Sequence, residues 1–234
     1  MSANLLALFL TFVLALIWLR INDFAAHRGW ISSHLSRKII HIGTGPIFVL
    51  CWLLFTNNLS ARYLAALVPL AITFQFTLVG FGVIKDDAAV QAMSRTGDRG
   101  EILRGPLYYG IIFVVLTVVF WYDKPTGIVA LMMLCGGDGL ADILGRRYGK
   151  VKLPWNRGKS WAGSGGMFLG GWVFALIVLL IYTEVGIFTR PFNSFILPVT
   201  IISVVATIVE TLPLKDIDNI TITLVAVILG AFLF

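Results

Sequence analysis

Two carboxylates, Asp138 and Asp142, stand four residues apart in the run CGGDGLADILGRRYGK at 135–150. On a helix that spacing puts both on one face, where like charges repel by about 0.2–0.5 kcal/mol in water and by more beside an apolar segment. A divalent cation between them removes the conflict. The all-oxygen donors suit Mg²⁺, which binds through one or two carboxylates completed by substrate phosphates. Gly136, Gly137 and Gly139 let backbone approach a ligand, and they are expected to break the helix at membrane depth. The plain alternative is that the glycines end a span and the acids are solvated.

The segment PWNRGKSWAGSGG at 154–166 supplies the opposite charge. Lys159 is a compact phosphate-binding cation and Arg157 a planar one. Gly158-Lys159-Ser160 resembles the end of a P-loop, but the first glycine of that motif would fall on Leu153 and no strand precedes it, so a P-loop is rejected. The start of the following helix offers backbone N–H groups to an anion. Basic interfacial anchors flanked by tryptophans are the competing explanation.

Three further groups carry chemistry. Arg37, Lys38 and His41 sit within about one helical turn at the mouth of an apolar segment, where His41 is a candidate base or a merely hydrogen-bonded ring. Asp98, Glu101 and Arg104 lie in a loop of mixed charge, which reads equally as a clamp over a polyanion or as a solvated loop. Glu210 interrupts an apolar helix end and needs a partner such as Lys159, an arginine or metal-bound water. Asp216, Asp218 and Asn219 follow it, with Asn219 the expected cap of the last helix.

The elements that position these residues are membrane helices. The chain has 234 residues, 58% hydrophobic and 13% charged, with mean hydropathy +0.90, too apolar for a water-soluble domain of that length. Apolar runs at about 5–19, 39–55, 63–84, 107–121, 127–135 (continuing irregularly to 145), 163–182, 195–212 and 220–234 predict an all-α bundle of about eight transmembrane helices, seven being the alternative. One domain over 1–234 is expected, without internal repeats. Cys51 and Cys135 form neither a disulfide framework nor a zinc spacing.

Fifteen of the eighteen Lys and Arg fall in the odd-numbered loops and three in the even ones. The positive-inside rule makes the odd loops cytoplasmic and both termini non-cytoplasmic. Ten of the twelve acids lie in or beside the same loops, which topology alone does not require. The net charge of +6 is explained by topology and nearby phosphates, so no nucleic-acid partner is expected. With no basic leader or Arg- and Ser-rich transit segment ahead of the first span, a bacterial membrane, a cyanobacterial one included, is the expected location, a mature chain already trimmed being the alternative.

The segments RKIIHIGTG, GDRGEILRGPLYYG, CGGDGLADILGRRYGK, NRGKSWAGSGGMF and VETLPLKDIDN resemble the phytol kinases of the polyprenol kinase family, which includes dolichol kinase and is more distantly similar to CDP-diglyceride synthase. They span most of residues 37–221, and the third and fourth in tandem are specific. The 212–219 stretch departs from the family, being shorter than the D-x-x-D-D-N form of plant members. The resemblance implies transfer of the terminal phosphoryl group of CTP to an isoprenoid alcohol with a divalent metal, as in phytol salvage toward tocopherol-type lipids. The expected catalytic residues are then Asp138, Asp142, Lys159, His41 and Glu210, with Asp138 and Asp142 on Mg²⁺. Arg37, Lys38, Arg104, Gly136, Gly137, Gly139, Arg146, Arg157 and Ser160 are expected around the nucleotide, which enters from the cytoplasm while the lipid alcohol enters from the bilayer. A phosphatidate cytidylyltransferase and a membrane transporter are the rival functions.

Overall fold

A computed structural model describes residues 2–94, 97–213 and 217–234. Arg95, Thr96, Lys215 and Asp216 lie outside the described residues, so the expectations placed on them have no structural counterpart. Among the described residues there is no named strand, and ten α-helices carry the fold. The chain divides into two compact units, 1–119 and 120–234.

The first unit contains α1 (Ser2–His27), α2 (Ser33–Cys51), α3 (Ala61–Phe81), the short α4 (Asp87–Met93) and α5 (Gly105–Val119). Ser32 starts α2 by accepting a hydrogen bond from the Leu35 amide at 3.2 Å, the arrangement that satisfies an otherwise orphan first-turn donor. Asp86 does the same for α4 through the Ala89 amide at 2.9 Å. A 3₁₀ turn, Arg99–Leu103, leads into α5 and is opened by Asp98, which accepts from the Gly100 amide at 3.0 Å.

The second unit is built around one continuous helical run, Pro125–Tyr148. It comprises α6 (Pro125–Met132), a π-helical turn (Met133–Asp138) and α7 (Gly139–Tyr148). Pro125 starts it at a position where no N–H is needed. Residues 127–137 are all buried, enclosed by α8 (Trp161–Glu184), α9 (Asn193–Glu210) and α10 (Asp218–Leu233).

Each of the eight expected apolar segments is largely helical, several running one to three residues past the helix end. Seven reach the length and hydropathy that cross a bilayer. The eighth, α10, has 16 residues, a length of about 24 Å at 1.5 Å per residue against a hydrocarbon core of about 30 Å. The all-α membrane architecture is as expected.

One expectation about the central run is corrected. Gly136, Gly137 and Gly139 do not break the helix, because Asp138 and Gly139 both keep right-handed helical dihedrals. The wider π turn absorbs the change of register, as such turns do at functional sites. A Cβ on Gly136 would meet the Gly170 carbonyl at 2.8 Å, and one on Gly137 the Met167 sulfur at 2.8 Å. From α8, Gly166 presses on the Leu140 carbonyl at 2.7 Å in the same sense. These small residues bring the two helices into backbone contact, which is how helices associate where the hydrophobic effect between them is absent.

Candidate active site

Asp138, Lys159, Glu210 and Asp218 of the second unit gather where the central helical run, α9 and α10 meet the segment between α7 and α8. Asp138 closes the π turn, and Asp142 follows one α-helical turn later, so the two share a helix face as their spacing requires. Asp142 Oδ1 accepts from Arg146 Nε at 2.9 Å, with the Asp142 side chain 24% and the Arg146 side chain 60% exposed. An i,i+4 pair in this order also has its acid nearer the helix N-terminus, the favourable arrangement.

Lys159 is placed by a small, tightly bonded loop. Its backbone forms an isolated antiparallel bridge, Lys152 with Ser160, and Leu153 N donates to the Lys159 carbonyl at 3.2 Å. Leu153 is buried and anchors the loop from within. Asn156 makes the corner: its carbonyl accepts from Lys159 N at 3.0 Å, and its side-chain oxygen accepts from Gly158 N at 3.1 Å, an Asx turn. The Asn156 side-chain amide then donates to the Thr211 carbonyl at 3.0 Å, just past the end of α9.

One residue back, Glu210 receives the Lys159 ammonium in an ion pair and hydrogen bond. Glu210 is 5% exposed, and its Oε2 is buried without a hydrogen-bond partner among the described residues. Burial works against the charge on Lys159, but the Glu210 carboxylate, joined by Asp138 and Asp218, outweighs it and raises the ammonium above the usual lysine value. Lys159 is therefore a fixed cation among three acids from three different elements.

The other expected residues take identifiable places. Ser160 is buried and caps α8, its hydroxyl oxygen accepting from Gly163 N at 3.2 Å. Trp161 N is taken by the Val151 carbonyl at 3.2 Å and Ser164 N by the Ser160 carbonyl at 3.0 Å. Most first-turn donors expected to meet an anion are thus engaged within the chain. Gly136, Gly137 and Gly139 are buried, the first two against α8. Arg157 is exposed on the loop. Asn219 is not the cap expected of it: Asp218 Oδ1 accepts from Asn219 N at 3.1 Å, and the Asn219 carbonyl accepts from the Thr223 hydroxyl at 2.7 Å.

The remaining candidates belong to the first unit. Arg37, Lys38 and His41 lie on α2, where the His41 ring stacks on Tyr109 with centroids 4.4 Å apart and its carbonyl accepts from the Tyr109 hydroxyl at 2.9 Å. Asp98, Glu101 and Arg104 frame the 3₁₀ turn before α5, with Asp98 and Arg104 exposed.

Sequence reasoning missed Asn156 and Thr211. The signal was present in the N-x-G-K turn, whose asparagine favours an Asx turn, but a carbonyl acceptor carries no side-chain signature.

Among the described residues no three His, Cys, Asp or Glu side chains converge as a metal site. The Asp138/Asp142 pair fits Mg²⁺ in the manner that needs only one or two protein carboxylates, phosphate oxygens supplying the rest.

The chain is 39% identical over 217 residues to a probable phytol kinase, chloroplastic, of Triticum aestivum, covering 92% of this chain and 72% of that protein. It is 40% identical over 208 residues to phytol kinase 1, chloroplastic, of Arabidopsis thaliana, covering 88% and 68%. Farnesol kinase, chloroplastic, from the same plant is 39% identical over 209 residues, with the same coverage. No family model and no solved structure matches. These relatives are named as chloroplastic plant proteins, which contradicts the expected bacterial membrane and cytoplasmic site. The charge bias behind the cytoplasmic assignment distinguishes the two faces of a bilayer and does not identify the compartment on either side. At this identity, over nine-tenths of its length, the chain belongs to the phytol kinase family of enzymes.

Proposed function

We propose that the protein transfers the γ-phosphoryl group of CTP to the primary hydroxyl of phytol, and of geranylgeraniol, in a chloroplast membrane. The monophosphate would feed tocopherol-type prenyl lipids. The observation that carries the site assignment is Lys159, a cation held by Glu210 among Asp138 and Asp218 at the end of a membrane-helix bundle. A long isoprenoid tail can stay in the lipid phase and present only its hydroxyl there. The names of the relatives, phytol kinase and farnesol kinase, support an isoprenoid alcohol as acceptor. The choice of CTP rests on the family resemblance, and the absence from the sequence of a Walker A motif is in keeping with it.

In the reaction the hydroxyl oxygen forms a bond to the γ-phosphorus while the bond from that phosphorus to the β,γ-bridging oxygen breaks, releasing CDP. The transition state is loose, so alignment and charge neutralisation dominate. Lys159 holds the transferring group, with Arg146 and Arg157 on the flanking phosphates. We assign the hydroxyl proton to Glu210, whose second oxygen has no hydrogen-bond partner among the described residues. Asp138 and Asp142 would hold Mg²⁺, which when bound neutralises phosphate charge.

The test is a substrate panel. Purified protein in lipid vesicles is given phytol, geranylgeraniol or farnesol with CTP or ATP and Mg²⁺. Phytyl monophosphate and CDP formed from CTP, with ATP a poor substitute, support the proposal. A CDP-lipid with pyrophosphate would make the enzyme a cytidylyltransferase, and no CTP turnover with any lipid would remove the kinase assignment.

A further inference from the structure

The loop bearing Lys159 is tied to the end of α9 at two consecutive residues: Lys159 to Glu210 and Asn156 to Thr211. The two ties differ in kind. The first uses the functional ammonium itself, so it loosens whenever Lys159 turns toward a phosphate. The second uses a neutral amide on a backbone carbonyl, and it persists whatever Lys159 does.

Asn156 is suited to this in both halves of its side chain. Its Oδ1 accepts from Gly158 N at 3.1 Å and shapes the turn, while its Nδ2 donates to the Thr211 carbonyl at 3.0 Å. Its carbonyl also accepts from Lys159 N at 3.0 Å, so the corner residue directly fixes the backbone that carries the ammonium. No other proteinogenic side chain of this length offers an acceptor and a donor together. Aspartate keeps the turn and loses the donor, and serine is too short to reach across.

We infer that Asn156 is a positioning residue for Lys159: by clamping the 153–159 turn to the Thr211 carbonyl, it keeps the ammonium over the phosphate site when the Glu210 contact is exchanged for substrate. This rests on the assignment of Lys159 to the phosphates. A cation displaced by about 1 Å from its aligned position can lose on the order of a hundredfold in rate, so the clamp acts on binding and turnover without touching substrate.

The experiment measures CTP–Mg²⁺ affinity of the full chain in vesicles for wild type, Lys159→Ala, Asn156→Asp, Asn156→Ser and each Asn156 variant combined with Lys159→Ala. Thermal unfolding is recorded in parallel, so that only folded protein is compared. Lys159→Ala should weaken CTP at least tenfold. Asn156→Asp and Asn156→Ser should each weaken it at least fivefold alone and less than twofold further in the Lys159→Ala background, because their effect passes through the lysine. An effect that persists in full without Lys159, or normal affinity in both Asn156 variants, overturns the inference while leaving Lys159 in place. Normal affinity in Lys159→Ala overturns the phosphate assignment, and the inference with it.

Discussion

Breaking the Lys159–Glu210 pair from its two sides should cost different amounts. The Glu210 side chain is 4% exposed and the Lys159 side chain 29%. Truncating one partner of a buried pair leaves the other charge uncompensated, at about 3–5 kcal/mol when it has no access to water. Lys159→Met does this to Glu210, which is fixed at the end of α9 and already has one oxygen without a partner among the described residues. Glu210→Gln instead leaves an ammonium on a flexible stem that reaches water, so the loss is nearer that of a single charged hydrogen bond, about 1.5–3 kcal/mol. The expected gap is about 2 kcal/mol, roughly thirtyfold in the unfolding equilibrium. The double variant should cost less than the two singles added, since it buries no orphan charge. Unfolding in mixed micelles, followed by the fluorescence of Trp155 and Trp161 beside the loop, measures all three. The sign with pH follows from the raised Lys159 value: the lysine's contribution is fully present below its ordinary 10.5 and is lost as pH rises through the higher folded value. The wild-type advantage over Glu210→Gln should therefore decline as pH rises beyond the ordinary lysine value. Equal costs for Lys159→Met and Glu210→Gln, or a larger cost for the latter, would refute the burial argument.

Three other outcomes are expected. Asp138→Asn and Asp142→Asn should each lower turnover by orders of magnitude while the protein stays folded, and should raise the Mg²⁺ concentration needed for half-activity; near-normal activity at limiting Mg²⁺ would show that the residue is no ligand. Gly170→Val places a side chain against the Gly136 carbonyl and should reduce thermal stability by about 3 kcal/mol or prevent accumulation of the protein, by overpacking against backbone that cannot yield. Single cysteines at Lys152, before α8, and Ser194, at the start of α9, in a chain lacking Cys51 and Cys135, should react with impermeant reagents from opposite sides of a vesicle, and labelling from one side only would show that α8 does not cross.

Much of the helical architecture was legible because an apolar run of membrane length has few alternatives to a helix. The apolar run ending at Cys135 was harder to read. Glycines 136, 137 and 139 look like a helix break in one dimension, yet Gly170 and Met167 of α8 pack against Gly136 and Gly137, and the backbone continues through a π turn instead. Lys159 was among the partners anticipated for Glu210, because a carboxylate at an apolar helix end must be compensated. The clamp by Asn156 was not, since its acceptor is the carbonyl of Thr211, and any residue at that position offers the same group. Asn219 was assigned a capping role by residue type, whereas Asp218, one position earlier, takes the first-turn amide.

The central claim is phosphoryl transfer from nucleotide to lipid alcohol at the Lys159 cluster. Its most direct measurement follows the label from CTP carrying ³²P at either the γ or the α position, in vesicles containing phytol and the wild-type chain or Lys159→Ala. The γ label alone should enter the lipid fraction, as phytyl monophosphate, and Lys159→Ala should abolish its transfer. Entry of α label into lipid, or undiminished γ transfer in the variant, would contradict it.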